Sequence, residues 1–479
     1  MQERIIYSVG IDIGTSTTQL VFSRLLLRNK ASDFSVPHFA LVKTEILYQS
    51  SIARTPLRDR QTINELQIRD FVDAQYRRAG MTKKEIHSGA IIITGETARK
   101  ENAERMVQTL SQYAGDFVAA AAGPDLEGIL AAKGSGAVAY SREQTTPIIN
   151  FDIGGGTTNL AAFDGDRVLD TACFDIGGRL IQLDPETRKI TYLAPKIRTL
   201  VQALRLPLDE GMIASPLSVL DPVVTVLVDV LENSVGMGER SPFFDLLITN
   251  HAFTKINPEK IETICFSGGV ADCLTKNKIL DRLRYGDIGP LLGERLRQSL
   301  LFRKKHVIPS AETIRATVVG AGIYTVAVTG STITYTEQAL PLRNLPVVDL
   351  SASLGEQAGN ELARVIQEKL ALIQLDVVSP VALSLREIAG LTFTQLQQYA
   401  RAIVSGAKEI LDQHAPLVVL VQTDVAKAFG HSLASILPQN YPLVCVDQIQ
   451  ATDGDYIDLG RPIDGASVLP VTIKTLIFH

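Results

Sequence analysis

At 479 residues the chain is too long for one ordinary core, and two or three domains are expected. Its 46% hydrophobic and 21% charged residues are those of a globular protein and exclude a disordered one. A formal net charge of -5, with Lys and Arg scattered rather than striped, gives no electrostatic basis for nucleic acid as a partner.

Met1-Gln2-Glu3-Arg4 leads through one short apolar run into glycine and aspartate, so no signal-peptide core is expected. A strand at Ile5 to Val9 then meets Gly10-Ile11-Asp12-Ile13-Gly14-Thr15-Ser16-Thr17-Thr18, with a second strand at Gln19 to Leu25. A helix is predicted over Ile68 to Ala79 and a strand over Ala90 to Thr94. That strand runs into Gly95-Glu96-Thr97, followed by a charged helix over Ala98 to Ala114.

The first pattern then returns as Asn150-Phe151-Asp152-Ile153-Gly154-Gly155-Gly156-Thr157-Thr158, again between two apolar strands. Asp164-Gly165-Asp166 turns into another strand, which Gly177-Gly178 ends. The greasiest stretch, Val223 to Leu231, is interrupted by Asp229 and is too short to span a bilayer, so no membrane partner is expected. A strand over Ile261 to Ser267 breaks at Gly268-Gly269 into a helix, and Thr317 to Gly322 opens a small-residue helix. Arg303-Lys304-Lys305-His306 reads as a solvated helix end.

From about Leu340 a cleaner alternation follows. Strands at Pro346 to Leu350, Val381 to Leu385, Leu417 to Gln422 and Leu443 to Val446 enclose helices over Leu354 to Leu375, Thr394 to Gln413 and Val425 to Leu437. This reads as a doubly wound α/β domain, closed by a last strand at Val471 to Phe478. The boundaries expected are 1–150 and 151–340 for two similar lobes and 341–479 for the C-terminal domain. Cys173, Cys265, Cys273 and Cys445 form no Cys-x-x-Cys pair and read as small buried hydrophobes in a reducing, cytoplasmic setting.

Each repeated loop can hold an anion. Glycine at the tip lets backbone N–H groups approach closely, and the hydroxyls add donors. Each copy also places an aspartate two residues before its first tip glycine, Asp12 and Asp152. A carboxylate beside a polyphosphate requires a cation between them, and Mg²⁺ with few carboxylates and several waters fits. Two such hairpins facing each other would clamp one nucleotide and one metal. Gly268-Gly269, where a strand becomes a helix, supplies a third place for a nucleotide to rest.

These motifs, in this order, resemble those of the ATPase superfamily of actin, sugar kinases and heat-shock chaperones over about two thirds of the chain. The resemblance implies actin-like, ribonuclease H-like duplicated lobes binding ATP or ADP with Mg²⁺. Gly10 to Thr18 and Phe151 to Thr158 look like the two phosphate motifs, and Phe266 to Asp272 like the adenosine motif. Glu127 to Val138 and Val318 to Ile323 look like the hinge helices. Where chaperones of this superfamily carry an acid two residues after the threonine of the second motif, this chain has Asn159, which implies weaker metal binding or slower hydrolysis.

Within the superfamily the chain is similar to the family of ethanolamine ammonia-lyase reactivating factors. The likeness rests on Ile93 to Ala103, Ala122 to Glu127, Asn150 to Asn159 and the tail from Ala451 through Phe478. It implies an ATP-dependent, chaperone-like protein with weak ATPase activity, whose partner is the lyase. It would release damaged cobalamin so that adenosylcobalamin can rebind, with no chemistry on ethanolamine. A cytoplasmic location, association with an ethanolamine-utilisation microcompartment and a homodimer belong to the same expectation.

The resemblance then assigns roles. Asp12 and Asp152 would hold Mg²⁺ through water. Gly14, Thr15, Ser16, Thr17, Gly154, Gly155, Gly156 and Thr157 would bind phosphates, and Gly268 and Gly269 would lie against the adenosine. Glu96 or Glu127 would orient the attacking water, each competing with a helix-cap reading. The rivals are a small-molecule kinase of the same superfamily and an actin-like filament protein. The C-terminal domain is expected to dock the partner. It lacks the Asp-x-His-x-x-Gly corrin motif, Phe429-Gly430-His431 having the wrong order, so cobalamin is expected to stay on the partner enzyme.

Overall fold

A computed structural model describes residues 3–14, 17–29, 39–59, 62–94, 102, 106, 109–110, 118–122, 124–275, 282–324, 327–329, 333–351, 358–372, 380–385, 392–449, 451–453, 455–460, 462 and 469–475. The first repeat forms an antiparallel hairpin of β1 (Glu3–Ile13) and β2 (Thr17–Asn29), in register from Glu3 opposite Arg28 to Ile13 opposite Thr18. On the outer edge of β2 lies β3 (Phe39–Gln49), a long strand that the sequence reading did not single out.

Helix α1 (Glu65–Ala79) starts at Asn64, whose side chain accepts from the Gln67 amide, and ends where Gly80 turns left-handed. Its buried Ile68, Val72 and Tyr76 recur every four residues, one helical stripe set against the sheet. Strands β4 (Ser88–Ile93) and β5 (Val118–Ala122) extend the sheet parallel to β1, and helix α2 (Pro124–Gly134) leaves for the second lobe.

The second lobe repeats the plan. Hairpin β6 (Ile148–Ile153) and β7 (Thr158–Asp164) is flanked by β8 (Arg167–Phe174) on one side. Parallel strands β9 (Thr263–Ser267) and β10 (His306–Ile308) lie on the other. The main sheet orders, β3-β2-β1-β4-β5 and β8-β7-β6-β9-β10, are the same arrangement used twice. The chain thus has the duplicated α/β lobes expected of it. The stretch Val223 to Leu231 lies inside a helix, Asp221–Ser234, that fills the core of the second lobe.

Two helices join the lobes. After β9 comes α3 (Gly269–Thr275), and after β10 comes α4 (Ala316–Tyr324). Helix α4 lies on the sheet of the first lobe, Val318 and Val319 against Val21, while Ala132 of α2 is buried with Ile148, Ala161 and Phe163 of the second. The two helices then meet each other. A Cβ on Gly134 of α2 would lie 1.8 Å from the Ala316 carbonyl oxygen, and one on Gly320 of α4 would lie 1.9 Å from that of Leu130. Only hydrogen fits at either crossing point, which lets the two backbones touch.

The C-terminal alternation is present as parallel strands β13 (Leu342–Asp349), β14 (Ala382–Leu385), β15 (Leu417–Val421) and β16 (Leu443–Val446). Helices α5 (Ala358–Leu372), α6 (Phe393–Gly406) and α7 (Ala426–Ala434) lie between them. These helices share one core with the sheet, through Leu362, Ile366, Ile403 and Phe429. The other face is filled from β17 (Asp455–Leu459) and β18 (Leu469–Thr475).

The edges of this sheet are two short strands, β11 (Ala327–Thr329) against β18 and β12 (Ile333–Tyr335) against β16. Four Cα steps separate Thr329 from Ile333, so the two edges are at most about 15 Å apart along the chain. A flat sheet of this width would separate them by roughly 34 Å. The sheet is therefore strongly curled, with the second core inside the curl. Gly430 of α7 lies directly under β12, a Cβ there meeting Thr334 at 2.4 Å, and His431 is exposed on the helix surface. All four cysteines are buried and free. Among the described residues no helix is long and apolar enough to cross a membrane.

Candidate functional site

The strands end at the same point in both lobes. Asp12 faces Gln19 across its hairpin, and Asp152 faces Asn159 across the other. Alternation puts Gly10 and Asp12 of β1, and likewise Asn150 and Asp152 of β6, on one face of each sheet. In the first lobe that face receives α4, a Cβ on Gly10 lying 2.0 Å from the Val318 carbonyl oxygen.

Each tip is closed and tied back in a similar way. The Gly14 amide donates to the Thr17 carbonyl at 2.8 Å, and the Gly154 amide to the Thr157 carbonyl at 2.9 Å. The Thr55 hydroxyl holds the Gly14 carbonyl at 2.7 Å. In the second lobe the Gly178 amide holds the Gly154 carbonyl at 3.0 Å and the Arg179 amide that of Gly155 at 2.7 Å. With those carbonyls turned away, the amides of Gly155 and Gly156 have no protein hydrogen-bond partner among the described residues. A Cβ on Gly156 would meet nothing within 4 Å. This is an open, donor-lined cradle of the kind an anion fills.

Gly268 takes φ +84°, and a Cβ there would lie 2.4 Å from the Ile153 carbonyl oxygen. The strand-to-helix turn is thus pressed against the base of the second cradle, and Gly269 opens on free space. The Thr313 carbonyl accepts from the Gly268 amide at 3.0 Å, and the Thr313 hydroxyl donates to Asp272 at 2.7 Å, tying this turn to the approach of α4.

The two aspartates are held by hydroxyls. Thr94 donates to Asp12 at 3.0 Å, while Asp152 accepts from Ser267 at 2.7 Å and from Thr317 of α4 at 3.4 Å. Burial raises the Asp12 pKa from 3.8 to about 7; the Thr94 bond opposes this and the neighbouring Asp152 charge adds to it. Burial likewise raises Asp152 to about 6, against two hydroxyls rather than one. Asp152 is the more enclosed at 3% exposure, whereas Asp12 keeps part of its surface open. Gln19 is equally enclosed, its Nε2 lying 3.5 Å from the Ile314 carbonyl oxygen and its Oε1 without a hydrogen-bond partner among the described residues.

Two neighbouring carboxylates that burial biases toward the protonated form, with an amide oxygen beside one of them unpartnered among the described residues, suit a cation. Among the described residues no cluster of three or more His, Cys, Asp or Glu side chains could hold a metal alone. The donor set therefore fits an ion that keeps waters and shares its shell with phosphate, as Mg²⁺ does.

Thr17 begins β2, and Thr157 precedes β7. Glu127 stands in the first turn of α2, beside Gly128, whose Cβ would meet Asn159 at 3.4 Å. An acid there also complements the helix dipole, so its position serves either reading. Asn159 is buried, and its Oδ1 accepts from the Cys173 thiol at 2.8 Å. Thr15, Ser16 and Glu96 lie outside the described residues. Sequence reasoning missed Thr94, Ser267 and Thr317, and it took Gly177-Gly178 only as a strand end. The signal for Ser267 was its place immediately before Gly268.

A family profile described as "Ethanolamine utilisation protein EutA" matches residues 3–479. The ethanolamine ammonia-lyase reactivase EutA of Salmonella typhimurium (strain LT2) is 38% identical to this chain, with both chains covered completely. That of Escherichia coli (strain K12) is 37% identical over the same full extent. Among solved structures, an Aquifex aeolicus member of the Ppx/GppA family is 15% identical, with a TM-score of 0.37, over 67% of this chain and 98% of its own.

Proposed function

The chain belongs to the EutA family of ethanolamine-utilisation proteins, and from that premise we propose that it is an ATP-dependent reactivating factor for ethanolamine ammonia-lyase. It works as a chaperone does, on another protein, releasing damaged cobalamin from the lyase so that adenosylcobalamin can rebind. The observation that carries this reading is the duplicated hairpin. Two loops of one design, each with an aspartate two residues before its first glycine, and close enough for one carboxylate to influence the other, occur in a chain that aligns end to end with two reactivases.

In this proposal the Gly14–Thr17 and Gly154–Thr157 loops grip the phosphates with backbone amides and hydroxyls, and Gly268-Gly269 supports the adenosine. Asp12 and Asp152 hold Mg²⁺ through water, oriented by Thr94, Ser267 and Thr317. The ion, when bound, neutralises charge that the phosphates and aspartates would otherwise set against one another. Glu127, beside Gly128 at the start of α2, and Glu96 keep their proposed role of orienting a water. Nucleotide bridging both loops favours one arrangement of the lobes, and α2 and α4, touching at Gly134 and Gly320, are where that arrangement changes. A coupling of about 1–3 kcal/mol between nucleotide and partner is ordinary for such devices.

In this reading the two lobes carry the nucleotide and the C-terminal domain docks the lyase. The protein works in the cytoplasm, in association with the ethanolamine-utilisation microcompartment, and a homodimer is its proposed assembly, checked by light scattering. The functional test mixes the protein with cyanocobalamin-inactivated lyase, adenosylcobalamin, ATP and Mg²⁺. Recovery of activity only when every component is present is expected. Recovery without ATP would overturn the proposal. ATP turnover that needs a small hydroxylated substrate and no lyase would replace it with a kinase.

A further inference from the structure

Asp152 is connected to the far end of hinge helix α2 by a file of three buried side chains. Ser267 Oγ donates to Asp152 Oδ1 at 2.7 Å, and Asn150 Nδ2 donates to Ser267 Oγ at 2.9 Å. Ser135 Oγ lies 3.0 Å from Asn150 Oδ1 and 3.1 Å from the Ala132 carbonyl oxygen. None of the three is more than 1% exposed. Ser135 directly follows α2, and its own carbonyl receives the Ala311 amide at 2.8 Å and the Ser310 hydroxyl at 3.4 Å.

Packing alone does not ask for these residue types. The place of Asn150 in β6 is held in β1 by Gly10, both lying two residues before the aspartate, and there a helix backbone fills the space. Burying an amide and two hydroxyls is unfavourable unless each finds a partner, so the file is worth keeping only for what it does in satisfied form. Its hydrogen count gives it a direction. Ser267 has one hydroxyl hydrogen; the Asn150 N–H occupies a lone pair of its oxygen and leaves that hydrogen for Asp152. The Ser135 hydroxyl, within 3.0 Å of Asn150 Oδ1 and 3.1 Å of the Ala132 carbonyl, ties the far side of the amide to the end of α2.

We propose that Asn150 is a positioning residue for the Asp152 carboxylate, acting through Ser267 and anchored by Ser135 at the end of the hinge helix. This rests on the reading of Asp152 as a Mg²⁺ holder. Asn150 touches neither metal nor nucleotide; it sets the hydroxyl that sets the carboxylate.

The test uses the full chain, titrating Mg²⁺ in the presence of a fluorescent ATP analogue and repeating the binding in EDTA. Asn150→Ala should raise the half-saturating Mg²⁺ concentration about three- to tenfold, the range for one lost hydrogen bond to a charged group's partner, and leave affinity in EDTA unchanged. Ser135→Ala should move the same quantity in the same direction by less. Asn150→Ala added to Ser267→Ala should have no further effect, since both act through one bond. An unchanged Mg²⁺ requirement in Asn150→Ala, with a lowered melting temperature, would make the file a packing feature and overturn the proposal. If Asn150→Ala does not fold, an unchanged requirement in Ser135→Ala overturns it. Absence of Mg²⁺-dependent binding by the wild-type chain would overturn the underlying reading, and the wild-type titration alone tells the two failures apart.

Discussion

Asp12 and Asp152, 140 positions apart in the chain, are close enough in the fold for the charge of Asp152 to help keep Asp12 protonated. Burial does most of this, and among the described residues neither carboxylate has a cationic side chain as a hydrogen-bond partner; hydroxyls hold both. The pair is poised against itself until something positive is brought between them.

That tension predicts a pH dependence. Both aspartates have folded-state pKa values above the ordinary 3.8, about 7 and about 6. Such groups favour folding while protonated: their contribution is complete below about pH 4 and is lost as pH rises through 6 to 7. In EDTA the melting temperature should therefore fall over that interval. Asp12→Asn and Asp152→Asn should flatten the fall and, at pH 7.5 without metal, be more stable than wild type by on the order of 1–3 kcal/mol. Mg·ATP should then stabilise the wild type and not the variants. Equal stabilisation of all three in a thermal melt would remove the aspartates from the metal site.

Two glycines at the cradle should respond in opposite ways. Gly156 opens on empty space, so Gly156→Ala should melt like wild type yet bind Mg·ATP at least several-fold more weakly, because the methyl enters the space an anion would occupy. Gly268→Ala must place a side chain at φ +84° and 2.4 Å from the Ile153 carbonyl, and should lower stability by about 2 kcal/mol or more. Calorimetric melting and nucleotide titration on the two variants separate the effects. Normal nucleotide affinity in Gly156→Ala would argue against the cradle.

The helix crossing is a third place to intervene. Gly320→Ala or Gly134→Ala would drive a methyl to within 2 Å of a carbonyl oxygen on the other helix, forcing α2 and α4 apart. Overpacking of this kind costs typically 1–3 kcal/mol. Lyase reactivation should suffer more than nucleotide affinity, since the loops are intact and their relative movement is not. A variant that reactivates at the wild-type rate would show that the crossing does not need to move.

Removing the C-terminal domain tests its docking role. The cut belongs after Tyr324 rather than at 340, because β11 and β12 are edges of the C-terminal sheet. The remaining lobes should bind Mg·ATP and fail to reactivate the lyase; retained reactivation would assign docking elsewhere.

What the sequence disclosed was what is local. Asp12 and Asp152 were legible because aspartate, glycine and threonine recur in a fixed order around a turn, and the parallel C-terminal strands because helices alternate with them. Strand β3 was missed though Phe39 to Gln49 is rich in β-formers; its partner β2 ends ten positions before it begins, and register shifts interrupt the pairing. Strands β11 and β12 are three residues each, and their partners lie more than a hundred positions on. Gly177-Gly178 lies three residues past the end of β8 at Phe174, and the bond from Gly178 to Gly154 spans 24 positions and has no signature. Asn150 could have been found, since a residue two before Asp152 in a strand must share its face. Ser267 carried only its place before Gly268 as a signal and Ser135 carried none, for the fold alone brings both to Asn150.

The short strand β11 begins three Cα steps after helix α4 ends, a span of at most about 11 Å. The same helix that lies on the first lobe and gives Thr317 to Asp152 is thus spliced almost directly into the rim of the curled C-terminal sheet. There is too little rope between them for the domain to trail behind like a tethered bead. In the proposed function, a tilt of the helix would pull the rim with it, and the far end of the molecule would work as the jaw of a wrench whose handle is turned at the nucleotide.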